Sequence, residues 1–308
     1  MKRKKKWSMQ SREDKIFDLV NHTLIVLMLL VILYPLYYIV IASFSKTTVG
    51  TYFWPNGFTV KGYLETFRYK PLWSGYANTL FYTVGGVLIG LFCTLLLAYA
   101  ISRNYFVGGK LITILVMIPM FVSGGLIPTY LTVMQLGLVG SRFYILIAGA
   151  VSTYNVIVAR TFFRSTIPEE LYEASLLDGC KDGRFFLSIV IPLSKPIIAV
   201  EALYLGVAKW NSYMTEMIYL SDEKKYPLAL VLKRLLWSIT YIQAQLEGNA
   251  QGAENLSQDV IAGMQEKADL ASVMQYCIIL LSTVPMLLIY PYLQKYFAKG
   301  VMIGAVKG

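Results

Sequence analysis

Residues 167–192 read IPEELYEASLLDGCKDGRFFLSIVIP, a charged stretch between two long apolar runs. The run Thr-Ile-Pro-Glu that starts at Thr166 has the spacing of a capping box, so a helix is expected to begin there. Gly179 should end that helix, because glycine readily adopts the left-handed conformation found at a helix C′ position. Asp182 should cap a second short helix, and Pro192 should break it. The stretch therefore predicts a short helix–turn–helix.

The composition of the whole chain indicates a membrane protein. Of its 308 residues, 56% are hydrophobic and 15% are charged, with a mean hydropathy of +0.55. Soluble domains carry about 25% charged residues. The net charge of +10 does not indicate a nucleic-acid partner, because the basic residues lie beside apolar runs, as in cytoplasmic loops of membrane proteins. The single His22 and three widely separated cysteines predict no metal site.

Six apolar runs are long enough to cross a bilayer, which takes about 20 residues each. They lie at residues 19–42, 77–101, 111–134, 143–163, 196–220 and 271–293. The third run contains two prolines and the pair Gly124-Gly125, so its helix should be interrupted. Such a break indicates either a helix that lines a path or a kink required for packing. The predicted fold class is an all-α polytopic membrane protein with six transmembrane helices.

The distribution of basic residues predicts that both termini are cytoplasmic. Seventeen of the 28 Lys and Arg residues fall in segments that would then lie inside, and ten in segments outside. The predicted organisation has a basic cytoplasmic N-terminus at 1–18, a six-helix domain at 19–295 and a cytoplasmic tail at 296–308. Within the domain, residues 164–192 would form a cytoplasmic loop and residues 221–268 a polar extracytoplasmic loop.

The spacing within the cytoplasmic loop resembles the EAA motif of ABC importer permeases, written E-A-A-x3-G-x9-I-x-L-P. In this chain the matching residues are Glu173-Ala174-Ser175, Gly179, Ile189 and Ile191-Pro192. Ser175 replaces the third alanine and Ile191 replaces the leucine. Without the resemblance, the residues alone do not exclude an amphipathic connector lying on lipid headgroups. The resemblance implies the fold of a type I ABC importer permease.

Other segments extend the resemblance along most of the chain. Residues 297–308 resemble the C-terminal signature of MalG-type permeases of bacterial carbohydrate importers, and residues 127–130, residues 136–138 and the pair Trp210-Asn211 lie where that family has similar residues. The similarity is greatest to the subgroup that imports oligosaccharides or polysaccharides. It implies a multi-pass protein of the bacterial cytoplasmic membrane.

The resemblance implies a coupling mechanism in which the EAA loop docks on a cytoplasmic ATPase. Glu173 would pair with a basic group there, Ala174 and Ser175 would permit close approach, and Gly179 and Pro192 would shape the loop. A further set of residues would place the C-terminal tail between the ATPases: Lys299, Gly300, Gly304 and Lys307.

The same resemblance implies the partners. They would be a second permease subunit in a heterodimer, two ATPase subunits, an extracytoplasmic solute-binding protein, an oligosaccharide and the membrane lipid. The chain has no Gly-x4-Gly-Lys-Ser/Thr segment, so ATP and Mg would be bound by the partner ATPase and this chain would hold no cofactor and no catalytic residue.

A cluster in the fifth run is the candidate substrate path: Lys209, Trp210, Asn211 and Tyr213. Aromatic rings stack on the CH groups of sugars while amides bind their hydroxyls, and a lysine would favour an acidic saccharide. A lysine within a membrane span is costly unless it faces a cavity or is paired. The alternatives are therefore a structural pairing of Lys209 with Glu201 or Glu216, or a shifted span from which the Lys209 side chain extends to the membrane surface.

Other functions remain as alternatives. A permease for a non-sugar solute would keep the EAA spacing, although the C-terminal signature argues against amino-acid and phosphate importers. A proton-coupled secondary transporter would use intramembrane carboxylates, for which Glu201 and Glu216 are the candidates. A membrane-embedded transferase would need a metal-binding cluster of Asp or His in a cytoplasmic loop. Neither of the last two explains the spacing of residues 167–192.

Overall fold

The computed structural model describes residues 11–122, 124–250 and 258–304, which form helices and connecting turns without a β-strand. The chain divides into two compact units. Unit 1 comprises residues 1–68 and 235–281, and unit 2 comprises residues 69–234 and 282–308.

The helices of the first half are α1 (Arg12–Ser43), α2 (Lys61–Arg68), α3 (Lys70–Ser102), α4 (Gly109–Phe121), α5 (Leu126–Gln135), α6 (Arg142–Ile147) and α7 (Thr153–Thr166). Those of the second half are α8 (Glu169–Leu177), α9 (Asp182–Phe185), α10 (Ile191–Leu193), α11 (Lys195–Trp210), α12 (Met214–Tyr219), α13 (Leu228–Ala250) and α14 (Gln258–Gly304). A π-helical turn spans Phe186–Val190 and a 3₁₀ turn spans Glu223–Lys225.

Three helical segments among the described residues are long and apolar enough to cross a membrane: Arg12–Ser43, Lys70–Ser102 and Gln265–Ile289. Two bent pairs raise the number to five if each pair forms one span, namely α4 with α5 and the segment Asp182–Leu193 with α11. The predicted interruption of the third run is present, because α4 ends at Phe121 and α5 begins at Leu126.

The predicted fourth run, residues 143–163, is not one continuous helix. It is divided into α6 and α7, and Gly149 between them has a left-handed φ of 67°. A window of apolar composition does not detect such a break, because the residues on both sides remain apolar. The prediction of a single helix in this run was wrong.

The predicted polar loop at residues 221–268 is largely helical. It contains α13 and the beginning of α14. Leu228, Leu230 and Val231 are buried in the first turn of α13, and the Gln and Glu residues that follow are good helix formers. The polarity of the segment predicted its place between two spans and did not indicate these helices.

Unit 1 is held together by close packing around Gly62 of α2. A Cβ at Gly62 would lie 2.6 Å from the Val273 side chain and 3.2 Å from Cys277 Sγ, so only glycine permits this approach. The Cys277 thiol also donates to the Ser43 carbonyl oxygen. Lys61 and Glu266 form an exposed ion pair of 3.2 Å, which contributes little to stability.

Unit 2 is built around α3, which packs against α6, α7 and α11. A Cβ at Gly90 of α3 would lie 2.9 Å from the Ala150 carbonyl oxygen and 2.9 Å from Leu205 of α11, so glycine allows the helices to pack closely. The largest core cluster joins α3 and α7 to the segment that follows α8, through side chains that include Tyr99, Phe163 and Phe185. This core positions the candidate site.

Candidate functional site

Helix α8 begins at Glu169, after Pro168 in an extended conformation. Thr166 is the last residue of α7 and does not cap α8, so the predicted capping box was wrong. A proline immediately before the helix has a compatible φ, and it lacks the N–H group that would otherwise need a partner. Glu169 and Glu170 in the first turn lie at the positive end of the helix dipole, where carboxylates are favourable.

The end of α8 is a Schellman motif. Gly179 has a φ of 72°. Its N–H donates to the Leu176 carbonyl oxygen at 2.9 Å, and the N–H of Cys180 donates to the Ser175 carbonyl oxygen at 2.9 Å. This is the hydrogen-bond pattern expected when a left-handed C′ residue ends a helix. The prediction that Gly179 ends the helix is confirmed.

The inner face of α8 is fixed by Tyr172. Its ring stacks on Tyr105 with centroids 4.5 Å apart and meets Phe185 edge-on at 5.2 Å. Its hydroxyl donates to Asp182 Oδ1 at 2.6 Å, and this hydrogen bond is the main reason that the Tyr172 pKa is raised. Asp182 is the first residue of α9 and not its N-cap, which is Lys181, so that prediction was wrong.

The outer face of α8 is exposed and partly apolar. Glu173 and Ala174 are exposed, while Leu171 is 37% and Leu177 is 91% exposed. Ser175, by contrast, is 6% exposed and its hydroxyl donates to the Tyr172 carbonyl oxygen at 2.7 Å. The EAA-like triplet therefore lies across the edge between the two faces, with Ser175 directed into the protein.

Two polar contacts attach the start of the loop to the end of α3. Asn104 Nδ2 donates to Glu169 Oε2 at 2.8 Å, and Arg103 Nη1 donates to the Ile167 carbonyl oxygen at 3.3 Å. Ile167 itself is 2% exposed within the core cluster. With the aromatic contacts of Tyr172, they join α8 to the helical core of unit 2. A displacement of α8 is expected to be transmitted to α3 and α7.

The segment after α9 continues as a π-helical turn before Pro192. The N–H of Ile191 donates to the Phe186 carbonyl oxygen, five residues earlier. Pro192 lies inside the short helix α10. The chain bends by 81° between this segment and α11, at Ser194. The break therefore falls two residues later than the sequence predicted.

Lys209 lies in the last turn of α11, and its ammonium binds the end of another helix. Nζ donates to the carbonyl oxygens of Ile145 at 2.7 Å, Leu146 at 3.4 Å and Ala148 at 2.6 Å. These are carbonyls at the C-terminus of α6, which have no partner within the helix. A cation is also favourable at this negative end of the helix dipole.

Neither candidate carboxylate forms an ion pair with Lys209 among the described residues. Glu216 accepts a hydrogen bond from Ser212 Oγ at 2.8 Å, and Glu201 is 1% exposed in α11. Lys209 thus has a structural partner, as the alternative interpretation required, but that partner is the α6 backbone. The break in the fourth run creates the carbonyls that Lys209 binds.

Trp210 and Asn211 line a cavity of about 350 Å³ in unit 2. Other residues that line it include Val207, Ser282 and Thr283. Trp210 is 6% exposed and its Nε1–H donates to the Ser282 carbonyl oxygen at 3.1 Å. Asn211 is exposed, and its Nδ2 donates to the Val207 carbonyl oxygen at 2.9 Å. An aromatic ring and an amide are thus brought together beside an open volume.

Tyr213 is not among the residues that line that cavity. Tyr213 is 36% exposed, and the ammonium of Lys233 lies 5.6 Å from the centre of its ring. Lys299, Gly300 and Gly304 belong to the last turns of α14, which continues well beyond the predicted end of the sixth run. Lys307 lies outside the described residues.

Sequence reasoning missed the residues that hold the loop in place. Tyr172, Phe185 and Phe186 supply its buried aromatic side chains, and Asn104 binds Glu169 from a segment 65 residues earlier. Tyr172 and Ser175 are spaced by three residues, which is the signal of a buried helix face. No pattern within the sequence could have indicated the contact with Asn104.

Comparison with known proteins gives a consistent result. The sequence profile of the family described as "Binding-protein-dependent transport system inner membrane component" matches residues 86–223. The Bacillus subtilis polygalacturonan/rhamnogalacturonan transport system permease protein YtcP is 31% identical, with 96% of this chain and 100% of that protein aligned. Protein LplC of the same organism is 32% identical over 97% of each chain.

A solved structure also matches. It comes from the crystal structure of a bacterial ABC transporter involved in the import of the acidic polysaccharide alginate. The matching chain is 32% identical with a TM-score of 0.81, and the alignment covers 94% of this chain and 99% of that one. The likeness therefore extends over nearly the whole chain in both sequence and fold.

Proposed function

The chain belongs to the family of binding-protein-dependent transport system inner membrane components, and we propose that it is a permease subunit of an ATP-driven importer of oligosaccharides or polysaccharides. The family is one of ABC importer subunits of the bacterial cytoplasmic membrane, which are not themselves catalytic. The observation that carries the proposal is the full-length similarity to a polygalacturonan/rhamnogalacturonan permease and to a subunit of the alginate importer structure.

The proposed assembly contains a second permease, two ATPase subunits and an extracytoplasmic solute-binding protein. In it, this chain has six transmembrane segments, both termini in the cytoplasm and half of the translocation path. ATP and Mg are bound by the ATPases. The distribution of the basic residues supports this orientation.

The outer face of α8 is the proposed contact with an ATPase. Glu173 supplies a charge, Ala174 leaves room for close approach, and Leu171 and Leu177 supply apolar surface that is exposed in this chain. Ser175 contributes to the inner face instead. A partner biases a conformational equilibrium only by its difference in affinity for the two states, and a shift from 1:99 to 99:1 requires about 5.5 kcal/mol.

The proposed contact with the glycan is the cavity beside Trp210 and Asn211. An indole ring and an exposed amide suit the alternating CH and hydroxyl groups of a sugar. Lys209 is not part of the proposed substrate path, because its ammonium donates to three carbonyl oxygens of α6 and the following turn. Any preference for acidic glycans is therefore assigned to groups other than Lys209.

The direct test is to purify the chain with its native partners and to measure binding of the associated solute-binding protein to neutral and acidic glycans. Transport of the bound glycan into vesicles with internal ATP should then depend on this chain. Binding of amino acids, phosphate or metal ions in place of glycans would reject the proposed substrate class. ATP-independent uptake driven by a proton gradient would reject the proposed mechanism.

A further inference from the structure

Another cavity, of about 430 Å³, lies in unit 2 where α3 ends and α4 begins. Four basic side chains line it: Arg103, Lys110, Arg160 and Arg164. No Asp or Glu is among the lining residues within the described part of the chain. Glu169 lies next to the lining, bound to Asn104. Four cations in the lining against this one carboxylate leave an excess of positive charge, which favours an anion.

The guanidinium of Arg103 is the main evidence for a built site. Arg103 is 8% exposed, and its Nη1 is used by the Ile167 carbonyl oxygen. Its Nε and Nη2 are buried without a hydrogen-bond partner. Its Cζ lies 5.0 Å from the centre of the Tyr99 ring, which offsets part of the cost of burying the charge. Buried charged donors without hydrogen-bond partners remain costly, so the arrangement favours an added acceptor. A guanidinium has the planar geometry that binds two oxygens of a phosphate at once.

The neighbouring cations are held in place by the protein. Arg160 Nε donates to the Ile101 carbonyl oxygen at 3.1 Å, and Arg164 Nη2 donates to Asn104 Oδ1 at 3.3 Å. Lys110 is exposed in the first turn of α4, and the positive end of the α4 dipole adds to the field of the cavity. The two hydrogen bonds position Arg160 and Arg164 before any anion binds.

The location of the cavity favours a lipid as the source of the anion. It lies at the ends of two helices predicted to cross the membrane, and Ile114 and Phe106 belong to its lining. The exposed face of α4 continues from Ile114 as an apolar surface that includes Leu111, Leu115 and Ile118. Cations beside an apolar helix face match a phosphate headgroup with its acyl chains, and basic pockets between membrane helices bind such headgroups.

We propose that Arg103, Lys110, Arg160 and Arg164 form a binding site for a phosphate group, supplied by an anionic phospholipid of the cytoplasmic leaflet. Arg103 also binds the carbonyl of Ile167, at the entry to α8. A phosphate bound to Arg103 would therefore stabilise the N-terminal end of α8. The binding claim rests on the membrane orientation given under the proposed function and does not depend on the transported solute.

The test uses the full chain purified with its native partners, with phosphatidylglycerol or phosphatidylcholine added in detergent. Native mass spectrometry then counts the lipids retained. We expect phosphatidylglycerol to be retained preferentially, and Lys110→Gln to weaken that retention about fivefold, because one basic residue near an anionic surface is lost. Arg103→Lys keeps the charge but loses the planar donors, and it should also weaken retention.

Lys195→Gln is the matched control, because Lys195 is exposed in unit 2 and does not line the cavity. It should retain phosphatidylglycerol as the parent chain does. If millimolar inorganic phosphate displaces the lipid and itself raises the melting temperature, the cavity binds phosphate. The lipid would then be rejected as its source in favour of soluble phosphate. Equal retention of both lipids, unaffected by Lys110→Gln and Arg103→Lys, would overturn the proposal. If these variants lose a partner subunit but retain the lipid unchanged, the cavity binds a carboxylate of that subunit. This result would also overturn the proposal.

Discussion

Lys209 illustrates how a residue that resembles a ligand can be a structural one. A lysine in an apolar run next to tryptophan and asparagine suggests a substrate contact, yet its ammonium closes the C-terminus of α6. The sequence predicted that the charge needed a partner, which is correct. It could not identify backbone carbonyls as that partner, because the break between α6 and α7 was not predicted.

Lys209→Met should therefore reduce stability and not glycan selectivity. Each buried carbonyl left without a donor costs about 1–3 kcal/mol, so the purified complex should melt at a lower temperature. Uptake of neutral and acidic glycans should fall in the same proportion. Lys195→Met, at an exposed position, is the control for loss of a charge. A selective loss of acidic-glycan uptake, with an unchanged melting temperature, would show instead that Lys209 contacts the substrate.

Gly179 offers a test in which backbone conformation is separated from packing. A Cβ at Gly179 or at Gly183 would meet nothing within 4 Å, but only Gly179 has a left-handed φ. Gly179→Ala should therefore cost about 1–2 kcal/mol at the end of α8, while Gly183→Ala should be neutral or slightly stabilising. ATP-driven uptake should fall in the first variant and persist in the second. Equal uptake in both would show that the Schellman turn is not needed for coupling.

At the level of the helices, α8 has two faces with different tasks. The inner face binds the core through Tyr172, and the outer face presents Glu173 and Ala174 to solvent. Substitutions on the two faces should therefore have different consequences. An inner-face variant should fail to accumulate, whereas an outer-face variant should accumulate and fail to couple.

Tyr172→Ala should lower stability by about 3–5 kcal/mol, the usual cost of removing a large buried aromatic side chain, and its membrane level should drop. Glu173→Ala should leave the membrane level unchanged and reduce ATP-driven uptake at least tenfold, with ATP hydrolysis no longer stimulated by substrate. Immunoblots and vesicle transport assays would measure both. Glu170→Ala, which removes the same charge from the exposed first turn of the same helix, is the control. A similar uptake defect in Glu170→Ala would assign the effect to general charge and not to the EAA position.

The helices also show which sequence signals were sufficient. Long uninterrupted apolar runs predicted α1 and α3, and the Gly124-Gly125 pair predicted the break between α4 and α5. The break at Gly149 and the helix α13 were missed for opposite reasons. The break at Gly149 lies within residues that remain apolar on both sides. Helix α13 begins with a short buried turn and continues with polar residues that favour a helix. Periodicity within the segment and φ at a single glycine decide these elements, and neither is visible in a hydropathy window.

At the level of the whole molecule, the orientation in the membrane follows from charge and can be tested directly. Residues 181 and 221 lie on either side of α11 and α12, and both Lys181 and Ser221 are exposed. If one transmembrane segment separates them, a membrane-impermeant thiol reagent should reach them from opposite sides. The basic residues around α8 predict that residue 181 is inside.

The experiment places single cysteines at Lys181→Cys or Ser221→Cys in a chain whose three native cysteines, Cys93, Cys180 and Cys277, are replaced by serine or alanine. In intact cells the reagent should label residue 221 and not residue 181, and in inverted vesicles the pattern should reverse. Retained glycan uptake would show that each variant is folded. Labelling of residue 181 from outside would put the EAA-like loop on the wrong face for any ATPase. Labelling of both from one side would mean that an even number of crossings separates the two residues, so α11 and α12 would not form a single transmembrane segment.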